Sequence, residues 1–490
     1  MPSEKSNWKS RGIYFILFAA IAAGFFVRVH SLGKESLWYD EGHSIRMAYF
    51  GFSRFISEDP HELQHPLYFL LLQWWIAIFG TSEYATRFLS VIFGVCSIFA
   101  IYLMGRQLFD REAAVISALF LTSSTYQLQY SQEVKGYSLQ VFLGILSFYF
   151  FARMFKEKKW TLYLGYVLAN AGALYIHTFE IFILLAQNFF FFTLLFLRKG
   201  RSELSWKKWL ALQGLIFLCF APWLKVFIAQ LAWGPKNFWV TRPDLSSLGI
   251  TFKLFTGSTG LLIIFGLLCI LALSSREIFS GKTKAQEPHD ANQNAGFYNF
   301  SPVLLLLFWL LVPVLTPWLV SLILTPVFQP RYSIAATPAI YLLAAKGVRN
   351  IGFKYARWLM VAMVLYFSLL SIQGYFGATN KEQWREAVGL IEQSAHPRDL
   401  VLVYKGDCLK NIYYYYQKRK DLTVVPYPEA DDQSPKPLDS VINGHDRAWL
   451  LISHNFPEQS LSLSEQAAAD YQISVRQFPG IKIYFFQKKI

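Results

Sequence analysis

The sequence predicts a polytopic α-helical membrane protein with a C-terminal extracytoplasmic α/β domain, and three observations carry that prediction. Of 490 residues, 54% are hydrophobic, 18% aromatic and only 16% charged, and the mean hydropathy is +0.30. That is too apolar for a soluble enzyme. The apolar residues also gather into runs of bilayer length. From Ala378 onward the composition shifts to short apolar runs alternating with amphipathic pieces.

Taken in order, Lys5, Lys9 and Arg11 precede an apolar run over 13–27. The run resembles a signal peptide but lacks a convincing small-residue cleavage site, which makes it an uncleaved anchor. Apolar spans follow at about 84–104, 113–130, 137–152, 160–177, 179–197, 206–231, 250–273, 301–325, 334–349 and 356–376. With 13–29 they make eleven crossings. The stretch 67–79 is short, follows Pro66 and carries Tyr68, Trp74 and Trp75, so it reads as an amphipathic juxtamembrane helix.

Loop charge supports that choice. If 67–79 does not cross, the basic loops around Arg106, Arg111, Arg153, Lys156, Lys207, Arg276, Lys346 and Arg357 share the side of the N-terminus. The positive-inside rule makes that side cytoplasmic. The expected layout is a transmembrane domain over 1–377, with its first extracytoplasmic loop at 30–83 and a polar cytoplasmic loop at 274–300, in which 280–299 lacks hydrophobic periodicity. A domain at 378–490 is expected outside, with strand-like runs at 400–404, 421–427, 448–453 and 481–486 and amphipathic pieces at 382–394 and 459–470. The location implied is a plasma (inner) membrane, with the N-terminus in the cytoplasm.

The formal net charge of +14 lies in those short inter-span clusters, so it implies no nucleic-acid partner. Cys96, Cys219 and Cys269 fall inside apolar spans and Cys408 stands alone in the tail. None has a neighbour at disulfide or metal spacing.

The unusual polar residues gather in the outer segments. Leu37-Trp38-Tyr39-Asp40-Glu41-Gly42 sets two carboxylates beside aromatic rings just past the first span. Charge at a membrane edge is costly, which makes the pair a candidate site, although acids at a helix N-terminus would also favour the helix dipole. His61-Glu62-Leu63-Gln64-His65 matches the zinc-protease pattern in letters, yet Pro66 disfavours helix at His65. His61, Glu62, His65 or His177 could still give one or two ligands to a divalent ion, with Asp40 or Glu41. A histidine hydrogen-bonded at a helix end fits those residues equally well. Glu133, Lys135 and Tyr137 occupy a short outer turn, and Arg331 and Tyr332 follow Pro330 at another outer edge. An outward arginine runs against the charge bias and suits an anion. Arg242 is consistent with the same role. Such a set would suit a lipid-linked phosphate: cations on the phosphate, a carboxylate to deprotonate an acceptor hydroxyl, and rings stacked on a sugar.

Trp38-Tyr39-Asp40-Glu41, His65-Pro66-Leu67-Tyr68, Arg87-Phe88, Tyr130-Ser131-Gln132-Glu133 with Lys135 and Tyr137-Ser138-Leu139, His177, and Pro330-Arg331-Tyr332 with Pro338 together resemble the protein O-mannosyltransferase-like C-type glycosyltransferases. The lipid A aminoarabinose transferase is a relative of that group. The resemblance spans about 10–375 and implies an inverting transferase that uses a polyprenyl-phosphate sugar. It implies Asp40 as general base, Glu41 orienting the acceptor or a metal, and Lys135 and Arg331 on the phosphate. Two departures stand out. A single proline, Pro66, is followed by Leu67 where two prolines are common, and Lys135 replaces an arginine, keeping the charge but losing the bidentate fork.

The acceptor stays open between lipid, protein and glycan, as do the sugar, the metal requirement and the oligomeric state. Membrane lipids and the lipid-linked sugar are the implied partners. The rival reading is a transporter or flippase of lipid-linked sugars. It would call for broken helices, midplane charges and related halves, none of which is visible in the sequence.

Overall fold

The computed structural model describes residues 4–57, 64–197, 204–237, 240–274, 301–404, 413, 415–427, 437–453 and 470–489. The expected polar loop at 280–299 and the amphipathic piece at 459–469 lie outside the described residues. The chain divides into a helical unit, Met1–His30, Phe52–Leu71 and Phe88–Tyr375, and a second unit, Ser31–Gly51, Leu72–Arg87 and Phe376–Ile490.

The helices run α1 (Glu4–Val29), α2 (Tyr39–Ser57), α3 (Pro66–Phe79), α4 (Glu83–Leu108), α5 (Arg111–Ser123), α6 (Thr125–Ser131), α7 (Tyr137–Met154), α8 (Trp160–Leu174) and α9 (Glu180–Phe196). They continue with α10 (Trp206–Phe220), α11 (Leu224–Asn237), α12 (Leu245–Thr256), α13 (Thr259–Leu273), α14 (Pro302–Ile323), α15 (Thr337–Asn350) and α16 (Lys354–Gly377). Among the described residues, six helices are long and apolar enough to cross a membrane, or up to seven if the α12–α13 pair counts as one bent span. The protein is a multi-pass membrane protein.

Several expected spans are broken. The 113–130 run splits at Ser124, whose side chain caps α6 by accepting from Gln127 N–H. The 250–273 run bends by 90°. Gly257, at φ 101°, ends α12 in the left-handed region that glycine tolerates, and the Ser258 side chain caps α13. The 206–231 run passes through a 3₁₀ turn at Ala221–Trp223 that contains Pro222. The helix α3 is apolar on more than one face: Tyr68, Phe69 and Leu72 are buried while Trp74, Ile78 and Phe79 are exposed. That departs from the expected amphipathic pattern.

Close helix packing in the helical unit rests on small residues and aromatic stacks. A Cβ on Gly347 would sit 1.9 Å from the carbonyl oxygen of Leu268, so α15 meets α13 backbone to side. Trp309 stacks on Phe148 at 4.1 Å, and its indole N–H donates to Ala335 O at 2.8 Å. Buried Arg28 on α1 donates to Ser131 Oγ and to the carbonyls of Gly24, Thr122 and Leu121. Gln132 Nε2 donates to the Arg28 and His30 carbonyls. These bonds satisfy polar groups that hydrocarbon would not.

The second unit holds a five-stranded sheet in the order β2-β1-β3-β5-β4. Its strands are β1 (Leu400–Tyr404), β2 (Thr423–Tyr427), β3 (Arg447–Ser453), β4 (Tyr471–Phe478) and β5 (Ile481–Lys488). β1 pairs in parallel with β2 and β3, while β5 runs antiparallel to β3 and β4. Two short helices, α17 (Trp384–Ser394) and α18 (Leu438–Ile442), accompany it. On one face α17 buries Trp384, Ala387, Val388 and Ile391 against Val401, Val403, Leu451 and Ile483. On the other face α18 buries Leu438 and Ile442 with Leu402 and Leu450.

Candidate active site

The candidate residues fall into both units. In the second unit, the chain from Ser36 enters α2 through extended residues and is fixed from several sides. Ser36 Oγ donates to Glu382 O at 2.6 Å, Leu37 N–H donates to Tyr416 Oη at 2.5 Å, and Tyr39 packs on the α17 core. Trp38 N–H reaches Glu41 Oε2 at 3.4 Å, and the Trp38 carbonyl accepts from Glu41 and Gly42 N–H. Asp40 and Glu41 therefore occupy the first turn of α2, where a carboxylate favours the helix dipole.

Glu41 is wholly buried. Arg87 Nε and Nη2 grip its two oxygens at 2.8 and 2.7 Å, and Lys381 Nζ adds a contact at 2.8 Å. The remaining Arg87 donors go to the carbonyls of Leu32, Glu35 and Ser36, so all five guanidinium N–H groups are used. Burial alone would raise the Glu41 carboxyl, but the charges and hydrogen bonds of Arg87 and Lys381 outweigh it and hold the group at about 2. Asp40, by contrast, is half-buried, and its carbonyl accepts from Ser44 Oγ at 2.8 Å.

Sequence reasoning missed Lys381, which nothing nearby in the chain marks. Arg87 belonged to the quoted Arg87-Phe88 motif but carried no role there.

In the helical unit, the turn between α6 and α7 presents Glu133, Lys135 and Tyr137. It is pinned closely: Ser90 Oγ donates to Lys135 O at 3.2 Å and meets Tyr68 Oη at 2.8 Å. A Cβ on Gly136 would lie 2.7 Å from Ile176 Cγ2. Lys135 Nζ sits 5.9 Å from the centre of the Phe69 ring and 3.4 Å from Gln64 Oε1. Glu133 is buried, and the Tyr137 ring meets Tyr130 edge-on at 4.8 Å.

His177 lies in the turn between α8 and α9, stacked on His65 at 6.3 Å and tilted against Tyr332 at 4.7 Å. Arg331 and Tyr332 open a 3₁₀ segment, Pro330–Ala336, and the Arg331 guanidinium lies 5.5 Å from the Tyr332 ring centre. Gln140 Nε2 donates to Tyr332 O, tying that segment to α7. His177 Nδ1 accepts from Phe179 N–H at 3.1 Å, which places the ring hydrogen of neutral His177 on Nε2. Burial, then the charges of His65, Lys135 and Arg331, push the His177 imidazole down to about 3. Burial lowers His65 to about 4.

The structure thus brings His65, His177, Tyr332, Arg331 and Lys135 into one electropositive neighbourhood, while Trp38, Tyr39, Asp40 and Glu41 belong to the other unit. Arg242 is exposed in the 240–244 segment that leads into α12. His61 and Glu62 lie outside the described residues.

A divalent ion needs more than the stacked pair supplies. His65 Nε2 is already 3.1 Å from Thr178 Oγ1, and His177 Nδ1 is committed to Phe179. Among the described residues no group of three His, Cys, Asp or Glu side chains is placed to hold a metal. The described residues do not by themselves fit a metal site.

Comparison with known proteins bears on this arrangement. Residues 62–225 match the family model described as Dolichyl-phosphate-mannose-protein mannosyltransferase. ArnT from Cupriavidus metallidurans bound to undecaprenyl phosphate superposes with a TM-score of 0.61 at 14% identity, covering 96% of this chain and 97% of that one. Its apo state gives 0.63 at 13% identity, covering 99% and 98%. The chain has the fold of a C-type glycosyltransferase. That C-type fold extends to the arabinofuranosyltransferase AftD from Mycobacteria, with a TM-score of 0.53 at 12% identity over 96% of this chain and 40% of AftD. No curated protein sequence matches the chain significantly. At such low identities the C-type fold is what the superpositions share.

Proposed function

We propose that this protein is an inverting glycosyltransferase that moves a sugar from a polyprenyl-phosphate donor to a hydroxyl acceptor on the outer face of the membrane. Asp40 takes the proton from the acceptor hydroxyl. The resulting oxygen attacks the anomeric carbon, and the bond from that carbon to the phosphate oxygen breaks with its electron pair going to the phosphate. Lys135 and Arg331 hold the anionic phosphate. Trp38, Tyr39, Glu133, Tyr137 and Tyr332 line the substrates, and Arg242 adds positive charge. The phosphate is a weak base and needs no strong acid to leave.

The observation that carries this reading is the α2 start. Glu41 is locked by Arg87 and Lys381, which fixes the neighbouring Asp40 on a rigid turn, as a general base requires. The cations at Lys135 and Arg331 support the lipid-phosphate donor. ArnT bound to undecaprenyl phosphate and an archaeal oligosaccharyltransferase, AglB, in complex with an inhibitory peptide and a dolichol-phosphate share the fold, and both are consistent with such a donor.

The test is mass spectrometry of envelope lipids, glycans and proteins from cells lacking the protein, restored with wild type, or restored with Asp40→Asn. One component should lose a sugar mass in both the null and the mutant while the polyprenyl-phosphate sugar accumulates. Loss of a general base lowers turnover by about 10²–10⁴-fold. Restoration of the wild-type pattern by Asp40→Asn would remove Asp40 as base. The 90° break between α12 and α13 also suits a flippase, and that outcome would favour it.

A further inference from the structure

A cavity of about 1400 Å³ lies within the second unit, outside the residues assigned roles above. Its lining includes the face of α2 carrying Gly42, Arg46 and Tyr49 and the face of α17 carrying Arg385, Gly389 and Gln393. Both sets recur at helical spacing, so each helix turns one stripe to the space. Gly42, the first α2 residue on the wall, comes two residues after Asp40. The volume exceeds the roughly 300–1,000 Å³ of a pocket for one small molecule.

The lining chemistry narrows the occupant. Tyr415 and Tyr416 also line the cavity, meeting edge to face at 4.9 Å, and Tyr49 is 64% exposed. Rings that offer a flat apolar face and a polar hydroxyl suit sugar rings. Two of the arginines in the lining are ion-paired, while Arg46 and Lys418 also lie there. Arg385 pairs with Glu83 at 3.0 Å and Glu386 at 3.1 Å, Arg419 pairs with Asp421 at 2.5 Å, and Glu392 Oε1 accepts the backbone N–H groups of Lys418 and Arg419. A phosphate at Arg385 or Arg419 would have to compete with the carboxylates that already hold them. Neutral hydroxyls can instead bond to the planar amides and the outer edges of these ion pairs.

We infer that this cavity binds a neutral carbohydrate chain of several sugars. Its place as the acceptor's glycan portion rests on the transferase reading; the binding itself does not.

A Cβ on Gly389 would meet nothing within 4 Å, so Gly389→Trp projects a large ring into the cavity from α17, and Gly389→Ala serves as control. Wild type, both Gly389 variants and Asp40→Asn, each full length in nanodiscs, are offered a labelled pool of neutral oligosaccharides released from the host envelope by mild acid. Wild type, Gly389→Ala and Asp40→Asn should retain glycan, and Gly389→Trp should retain at least about tenfold less with unchanged helical circular dichroism. Equal retention by wild type and Gly389→Trp, or retention by neither, overturns the inference. Displacement of the glycan by millimolar inorganic phosphate would assign the cavity to anions and overturn it too. If Asp40→Asn retains glycan and also transfers sugar normally, the assignment of the base fails while the binding site stands.

Discussion

At the scale of single residues, the carboxylate pair stands out in the sequence because acids beside a span are costly, whereas the partners of Glu41 do not. Arg87 lies 46 residues away and Lys381 lies 340 residues away, separations at which no local pattern operates. The energetic consequence is asymmetric. Removing one member of a buried ion pair leaves the other charged and desolvated, which costs about 3–5 kcal/mol. Arg87→Met should therefore lower the unfolding temperature of the purified protein markedly, and Lys381→Met less, because Glu41 keeps its two bonds from Arg87. Thermal unfolding in detergent measures both. The histidine pair gives a pH signature. His65 and His177 have folded values of about 4 and about 3 against an ordinary 6.5, so the unfolded chain takes up the protons first. Their contribution is complete above pH 6.5 and falls as pH drops from 6.5 toward 4 and 3. Glu41 adds a similar loss lower down, between its ordinary 4.5 and about 2. The unfolding temperature should begin to fall below pH 6.5, and His177→Gln should flatten that first phase; an unchanged slope would mean that the pair is not buried neutral.

At the scale of elements, hydropathy locates apolar mass but not the breaks within it. Ser124, and Gly257 with Ser258, sit inside runs that read as continuous spans, because one small residue barely alters a running average while its side chain or backbone angle ends a helix. The strands at 400–404, 423–427, 447–453 and 481–488 follow the apolar runs closely. β4, Tyr471–Phe478, escaped notice because most of its residues are exposed and it carries no apolar run. Helix contact can be tested at Gly347, where an added methyl would meet Leu268 O at 1.9 Å while one on Gly266 would meet nothing within 4 Å. Gly347→Ala should destabilise by about 1–3 kcal/mol through overpacking. Gly266→Ala should be neutral or slightly stabilising, by up to about 1 kcal/mol. Equal unfolding temperatures for the two variants would mean that α13 and α15 do not meet at this contact.

At the scale of the whole molecule, length and loop charge lead to different numbers of crossings. Six helices, or seven spans with the bent pair, meet the length criterion. The eleven expected from the sequence also need the α5–α6 run, α8, α9 and α15; α8 and α9, with 15 and 17 residues, give only about 22–26 Å at 1.5 Å per residue, against a core of about 30 Å. Charge argues that they cross. The turn holding Lys156, Lys158 and Lys159 and the turn holding His177 alternate between basic and non-basic, as do the turns before and after them. An N-terminus inside and a C-terminal sheet outside, as the sequence leads one to expect, would require an odd number of crossings. With native cysteines replaced, single cysteines at Lys158, Thr241 and Lys488 can be probed in intact cells with a membrane-impermeant maleimide. Thr241→Cys and Lys488→Cys should label, while Lys158→Cys should label only after the membrane is permeabilised. Labelling of Lys158→Cys with protection of the other two would invert the topology. It would also place Asp40 on the cytoplasmic side, where the acceptor assigned to the outer face could not reach it.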